Sequence, residues 1–221
     1  MSLVQQVLPF FIIGARNTLM YCFASFPLAL LLGLILALMR SSRIAWFSSP
    51  AKIFIEVIRG TPIIVQIFLI YYGIGAVLAI YNLATLDNAW TAGIAILAIN
   101  YAAYESEVFR AGFLSVEHGQ TEAALSLGMT SGQNFFRIVL PQAIPLMIPP
   151  FVNDFIYMLK DSAILSVISA TELTSVLQYY VFRNSSQPIP LYALAIVLYL
   201  LMALPISYVA RWYERRLRAA L

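Results

Sequence analysis

Long apolar runs alternate with short polar interruptions along this chain. A helix that crosses a bilayer needs about 20 mostly apolar residues. We predict membrane spans at about residues 17–39, 62–80, 89–108, 141–159 and 191–210. The predicted fold class is an all-α integral membrane protein with five transmembrane helices, in which residues 1–221 form a single transmembrane domain.

Composition agrees with this class. Of the 221 residues, 62% are hydrophobic and 10% are charged, whereas soluble domains are about 45–50% apolar and about 25% charged. A soluble fold could not cover so much apolar surface. The first residues, "MSLVQQVLPFF", carry no positive charge, so we expect no cleavable signal peptide.

Basic residues predict the orientation of the spans. Arg40, Arg43 and Lys52 follow the first span, and a cluster of arginines at 211–218 follows the last one. The loop between the second and third spans, "YNLATLDN", has no Lys or Arg. Because short cytoplasmic loops carry an excess of positive charge, we predict an N-terminus outside and a C-terminus in the cytoplasm.

A polar segment, "QTEAALSLGMTSGQNFFRIVLPQ", separates the third and fourth spans and is cytoplasmic in this orientation. Thr121 is a candidate N-cap of a short helix, Glu122 suits its positive end, and Gly128 is a typical stop. A helix of this length is only marginally stable alone, so we expect a partner to hold it.

Charges at membrane depth are the first candidate functional groups, because each costs roughly 2.5–3.5 kcal/mol at a helix centre. Glu105 and Glu107 lie in the third span and point to different faces. Glu107 and Arg110 are spaced to form an ion pair. Glu107 therefore either closes this span near the cytoplasmic edge or lies on a translocation path.

Three prolines, Pro145, Pro149 and Pro150, disturb the fourth span, which leads to Lys160 and Asp161. Proline-broken membrane helices tend to line polar cavities. Lys160 and Asp161 either neutralise one another or offer a cation and an anion to a zwitterion such as an amino acid. We interpret the region that follows, up to residue 190, as a short re-entrant or gating segment and an external helix.

The motif "RGTP" at 59–62 opens the second span. Pro62 suits the first turn of a helix and Thr61 can cap it, so the residues alone indicate an ordinary helix start with an interfacial arginine.

The sequence contains few residues or motifs that are typical of enzyme active sites. The chain lacks the G-x-x-x-x-G-K-[ST] phosphate loop. His118 is its single histidine, so histidine metal sites and His-dependent triads have almost no residues from which to form. These features favour a pore or carrier subunit over an enzyme.

Four motifs in order resemble the membrane subunits of ABC importers for polar amino acids, in the histidine, glutamine, arginine and glutamate transport group. The motifs are "RGTP", "AAYESEVFRAG" at 102–112, the EAA loop at about 117–141 and "LKDSAILSVISATEL" at 159–173. The resemblance covers nearly the whole chain. It implies the type I ABC importer permease fold with a cytoplasmic coupling helix.

The resemblance also implies partners. They are a second permease subunit, identical or homologous, an ATP-binding cassette ATPase dimer that binds ATP and Mg²⁺, and an extracytoplasmic amino acid binding protein. No cofactor is then expected on this chain. Its expected location is the bacterial inner membrane. The ATPase contact is expected at Glu122, Ala123, Ala124, Leu127 and Gly128.

Substrate contacts implied by the same resemblance are Glu107, Lys160, Asp161, Arg59, Thr61 and Gln66. Glu105 departs from the family pattern, in which this position is more often small or uncharged. The expected function is a permease that moves a polar amino acid by alternating access.

Two other classes compete with an ATP-driven permease. An ion-coupled secondary transporter or channel subunit fits the hydropathy, but five spans without an evident inverted repeat argue against it. A non-transporting membrane scaffold leaves the charges at membrane depth without a purpose.

Overall fold

The computed structural model describes residues 3–81, 88–184 and 188–220, and these residues form a bundle of helices. The α-helices are α1 (Leu3–Arg40), α2 (Ala45–Gly60), α3 (Ile63–Phe68), α4 (Gly75–Ile80), α5 (Ala89–Leu114), α6 (His118–Ser126), α7 (Ser131–Asn134), α8 (Leu140–Asp161), α9 (Leu173–Arg183) and α10 (Pro188–Ala220). Two π-helical turns, Leu69–Ile74 and Phe135–Val139, and one 3₁₀ helix, Ser162–Ile168, join some of them.

Helix α1 is the centre of the bundle and runs parallel to α5. The ring of Tyr21 in α1 packs at a tilt against Trp90 at the start of α5, and Arg40 at the end of α1 pairs with Glu107. Helix α8 runs antiparallel to α5, because Phe151 contacts Phe109 while the later Asp161 contacts the earlier Tyr101. The bundle therefore has one end that carries α6 and an opposite end at which α1 begins.

Three helices among the described residues have the length and composition to cross a membrane, and four do so if a bent pair counts as one span. They are Leu3–Arg40, Ser131–Ile168, Pro188–Leu217 and the pair Ala45–Gly60 and Ile63–Leu78, which bends by 111°. Helix α5 has 26 residues and would be about 39 Å long, but it carries two glutamates and an arginine. The count of five spans remains a prediction.

Helix boundaries differ from the predicted spans at both ends of the chain. Helix α1 begins at Leu3, before the predicted start at residue 17, because Val7 and Phe11 are buried against Leu173 and Leu191. Helix α10 extends beyond residue 210 to Ala220. The connection predicted at "YNLATLDN" falls largely on residues 82–87, outside the described residues. Residues 185–187 of the turn predicted at "RNSSQPIP" also lie outside them.

Candidate functional site

A cavity of about 450 Å³ opens in the middle of the bundle, between the α2–α3 break, α5 and α8. Its lining is mostly polar and aromatic. The lining residues are Thr61, Pro62, Ile63, Asn100, Tyr101, Tyr104, Asp154, Tyr157 and Asp161. These include two carboxylates and no lysine or arginine, so the cavity walls favour a cationic group over an anionic one.

Asp161 is fixed inside this cavity by a hydrogen bond that joins α5 to α8. The Tyr101 hydroxyl donates to Asp161 Oδ2 at 2.8 Å, and Tyr101 itself is only 4% exposed. The remaining acceptor capacity of the carboxylate is available to a ligand. The structure thus brings the predicted Asp161 together with Thr61, and it adds Asp154, Asn100 and Tyr101.

Two cations lie beside the cavity, each over the ring of a lining tyrosine. The Lys160 ammonium is 4.5 Å from the centre of the Tyr157 ring, and the Arg59 guanidinium is 5.6 Å from that of Tyr104. Both cations are exposed in the isolated chain. Lys160 and Asp161 therefore have different partners, and the arrangement offers carboxylates within the cavity and cations beside it.

The "RGTP" motif connects α2 to α3. The predicted helix start is confirmed, because α3 begins at Ile63 directly after Pro62. The motif is also a break, because α2 ends at Gly60 and the two helices bend by 111°. Residue 62 is the position whose N–H would bond the carbonyl of Ile58, and proline has no N–H. The Gln66 amide replaces it, with Nε2 donating to Ile58 O at 2.8 Å. Thr61 does not cap α3, because its hydroxyl donates to Val57 O at 2.8 Å.

Gln66 is also tied to α5, since its Oε1 accepts a hydrogen bond from Asn100 Nδ2 at 2.8 Å. Its Nε2 further donates to Thr61 Oγ1 at 2.9 Å. Gln66 is buried, with 6% exposure, and it is not one of the lining residues. Its observed contacts satisfy the backbone at the break and hold Thr61 at the cavity.

Glu107 lies outside this cavity, in an ion-pair cluster near the end that carries α6. Its two oxygens reach Arg40 at 2.6 Å and Arg110 at 2.8 Å, and the predicted pair with Arg110 is confirmed. The contact with Arg40 joins the ends of α1 and α5. Glu107 lines a different cleft, formed with residues of α5 and α8, so the structure does not bring it to Asp161.

Glu105 is fully buried, with 0% exposure. It faces α1 where that helix approaches closely, because a Cβ added to Gly33 would lie 2.8 Å from Glu105 Cβ. Glu105 is thus packed between two helices and is absent from the cavity lining.

The short helix of the polar segment, α6, stands at one end of the bundle. Gly128 ends it with φ +80°, and the N–H groups of Gly128 and Met129 bond the carbonyls of Leu125 and Ala124. This pattern is a Schellman stop, as the glycine predicted. The predicted cap is wrong, because α6 begins at His118, three residues before Thr121.

Thr121 instead lies within α6 and contacts α7, where Asn134 Nδ2 approaches its hydroxyl at 3.4 Å. Of the five residues expected at a partner, Ala124 is 4% exposed and packs inward. Leu127 is 85% exposed, and Glu122, Ala123 and Gly128 are also exposed. The exposed side of α6 is therefore a small patch of apolar and acidic character.

Metal ligands do not cluster in the part of the chain that the structure describes, since no group of three or more His, Cys, Asp or Glu residues could hold an ion there.

Sequence reasoning missed Asn100 and Tyr101 as site residues. The sequence pattern that could have identified them is the polar pair "NY" in the middle of the apolar run of α5.

Comparisons with known proteins agree on one family. Residues 29–219 match the family described as the binding-protein-dependent transport system inner membrane component. The L-cystine transport system permease protein TcyB of Bacillus subtilis is 38% identical over 217 residues, which are 98% of this chain and 90% of TcyB. The glutamine transport system permease protein GlnP of Escherichia coli is 33% identical over 218 residues, covering 98% and 97% of the two chains.

Solved structures share the fold. A crystal structure of an amino acid ABC transporter with histidines has a chain that is 38% identical, with a TM-score of 0.86 and coverage of 98% of this chain and 99% of that one. The MetNI methionine ABC transporter in an inward-facing conformation matches with a TM-score of 0.74 at 18% identity, covering 96% and 99%. At that identity the second likeness concerns the fold alone.

Proposed function

The chain belongs to the family of binding-protein-dependent transport system inner membrane components, and we propose that it is the permease subunit of an ATP-driven importer for a polar amino acid. The fold is that of type I ABC importer permeases. Relatives of this chain are named as permeases for cystine and glutamine. ATP and Mg²⁺ are bound by a partner ATPase, and this chain supplies the path.

The cavity at Asp161 is the observation that carries the proposal. An amino acid has an ammonium and a carboxylate, and the cavity offers Asp154 and Asp161 inside with Lys160 and Arg59 beside it. The ammonium binds Asp161, whose position Tyr101 fixes. Asp154 and Asp161 are half-buried, and they favour a ligand that pairs with them, because an unpaired charge away from water is costly.

Coupling to ATP hydrolysis uses α6 as the contact with the ATPase. Glu122, Ala123, Leu127 and Gly128 are exposed on it, and the short helix needs a partner for stability. From Ser131 to Ile168 the chain is one continuous helical segment of 38 residues, which joins the neighbourhood of α6 to Asp161. Movement of α6 on nucleotide binding is therefore passed to the cavity, which supports alternating access.

The proposed setting is the bacterial inner membrane, with α6 on the cytoplasmic side and the N-terminus outside. A second permease subunit completes the path, and a binding protein delivers the amino acid at the end where α1 begins. Arg40 and Arg110 lie at the α6 end, as the excess of positive charge in cytoplasmic segments predicts.

Uptake by vesicles that contain the permease, its ATPase and its binding protein tests the substrate site. Asp161→Asn removes the charge that binds the ammonium and should lower ATP-dependent uptake at least about tenfold. Glu56→Gln is the matched control, because Glu56 is a carboxylate with 72% side-chain exposure on α2. Equal uptake by Asp161→Asn and wild type would remove Asp161 from the site.

A further inference from the structure

Glu172 is a buried carboxylate that the proposed transport steps do not use. It has 0% exposure and lies at the end of the segment that connects Asp161 to α9, residues 162–172. Burying a carboxylate costs several kcal/mol unless its oxygens are paired. A full set of partners at this position therefore indicates what the carboxylate holds in place.

The first set of partners is the beginning of α9. Glu172 Oε1 accepts from the Ser175 N–H at 2.6 Å and Oε2 accepts from the Thr174 N–H at 2.7 Å. The Ser175 hydroxyl in turn accepts from the Glu172 N–H at 2.9 Å, which completes a capping box. Glutamate is not one of the preferred N-cap residues, so its longer side chain must serve a second contact.

That second contact is with α10. The Tyr199 hydroxyl lies 3.3 Å from Glu172 Oε2 and 2.8 Å from the Thr174 hydroxyl. One carboxylate thus links the start of α9 to the middle of α10.

Helix α1 holds the same point from a third side. The Leu173 N–H donates to Thr18 Oγ1 at 3.2 Å, and Asn17 Nδ2 donates to Thr171 O at 3.0 Å. A Cβ at Gly14 would lie only 3.0 Å from Leu173 Cα. The segment therefore ends at a point fixed to α1, α9 and α10.

The other end of the segment is the cavity. Asp161 immediately precedes the 3₁₀ helix Ser162–Ile168 and is bonded to Tyr101. The bend at Ser169 has a φ of 60°, which is a costly conformation for a residue other than glycine. A chain held in that conformation needs firm attachment beyond it, and Glu172 lies three residues on.

We propose that Glu172 is a positioning residue that anchors the segment 162–172 to α9 and α10 and so sets the position of Asp161 in the cavity. This inference rests on the proposed function for its effect on substrate, and on the contacts alone for its effect on the segment. An ordinary helix cap would contribute to stability and leave the affinity for substrate unchanged.

Two substitutions separate the link to α10 from the cap. Tyr199→Phe removes only the hydroxyl that bonds Glu172 and Thr174. Glu172→Asp keeps an excellent N-cap residue whose shorter side chain does not reach Tyr199. Glu172→Gln, which loses one of the two backbone contacts, is the strongest variant, and Glu56→Gln is the control with an exposed carboxylate.

Hydrogen exchange of the purified full chain in lipid nanodiscs measures the anchoring without any ligand. We expect amides of residues 162–172 to exchange about tenfold faster in Tyr199→Phe and Glu172→Asp, with α5 unchanged. Exchange in this segment equal to wild type in both variants would overturn the anchoring.

Equilibrium binding of radiolabelled L-glutamine, L-cystine and L-arginine to the same samples measures the effect on the cavity. For each probe that wild type binds, the dissociation constant should rise about tenfold in both variants and stay constant in Glu56→Gln. An unchanged dissociation constant with faster exchange would show that Glu172 anchors the segment without setting the position of Asp161, and would overturn that part of the proposal. Absence of binding by wild type would count against the proposed substrate site, and the exchange result would still decide the anchoring.

Discussion

Replacement of Gln66 by leucine tests the structure at the α2–α3 break. The substitution conserves approximate size and removes the amide that bonds Ile58 O and Asn100 Nδ2. Both groups are buried, so water cannot readily replace the lost partner. The carbonyl of Ile58 has no alternative in its own helix, because residue 62 is proline.

The expected cost follows from these two groups. An unsatisfied buried donor or acceptor costs about 1–3 kcal/mol, so Gln66→Leu should lower the free energy of unfolding by about 2–6 kcal/mol. Thr61 is exposed at the cavity, and its lost contact is replaced by water without a large cost. Asn100→Leu should rescue part of the loss in the double variant, since it removes the unpaired amide.

Titration of the purified chain in micelles with sodium dodecyl sulfate, followed by circular dichroism, measures these differences. Gln142→Leu is the control, because Gln142 is an exposed glutamine that also donates to a backbone carbonyl, that of Ile138, at 2.9 Å. We expect its effect to stay within about 0.5 kcal/mol. If the loss of unfolding free energy in Gln66→Leu is as small as in the control, Gln66 does not satisfy the backbone at the α2–α3 break.

Two further predictions concern α6 and the ion-pair cluster. Both Gly119 and Gly128 have open space around an added Cβ, but only Gly128 has a positive φ. Gly128→Ala should therefore destabilise α6 by about 1–2 kcal/mol. Gly119→Ala should stabilise α6 by about 0.5–1 kcal/mol. Hydrogen exchange of α6 would show this as opposite changes, and equal changes would contradict the stop. Glu107→Gln leaves Arg40 and Arg110 without their shared carboxylate. It should lower the free energy of unfolding, measured by titration with sodium dodecyl sulfate, by about 1–3 kcal/mol and leave substrate affinity unchanged. A loss of affinity without a loss of stability would return Glu107 to the substrate path.

Much of the fold is encoded in local patterns that the sequence makes visible. Apolar runs predict the membrane helices, because the bilayer requires their length. Gly128 predicts its own stop, because few other residues adopt a positive φ. The pair of Glu107 with Arg110 follows from helical spacing alone.

Contacts between distant parts of the chain account for what the sequence left open. Tyr101 and Asp161 are 60 positions apart, and no local pattern assigns one to the other. At "RGTP" the sequence indicated the helix start after Pro62, but it indicated neither the end of α2 at Gly60 nor the Gln66 bond to Ile58. The early start of α1 likewise depends on Val7 and Phe11 packing against α9 and α10.

ATP dependence of uptake tests the central claim most directly. Proteoliposomes would hold the permease, its ATPase and an ATP-regenerating system inside, with the binding protein and radiolabelled amino acids, including glutamine and cystine, outside. The proposed function predicts accumulation that requires ATP and the ATPase and is unaffected by collapse of sodium and proton gradients. Accumulation driven by an ion gradient without ATP or the ATPase would contradict it and favour a secondary transporter.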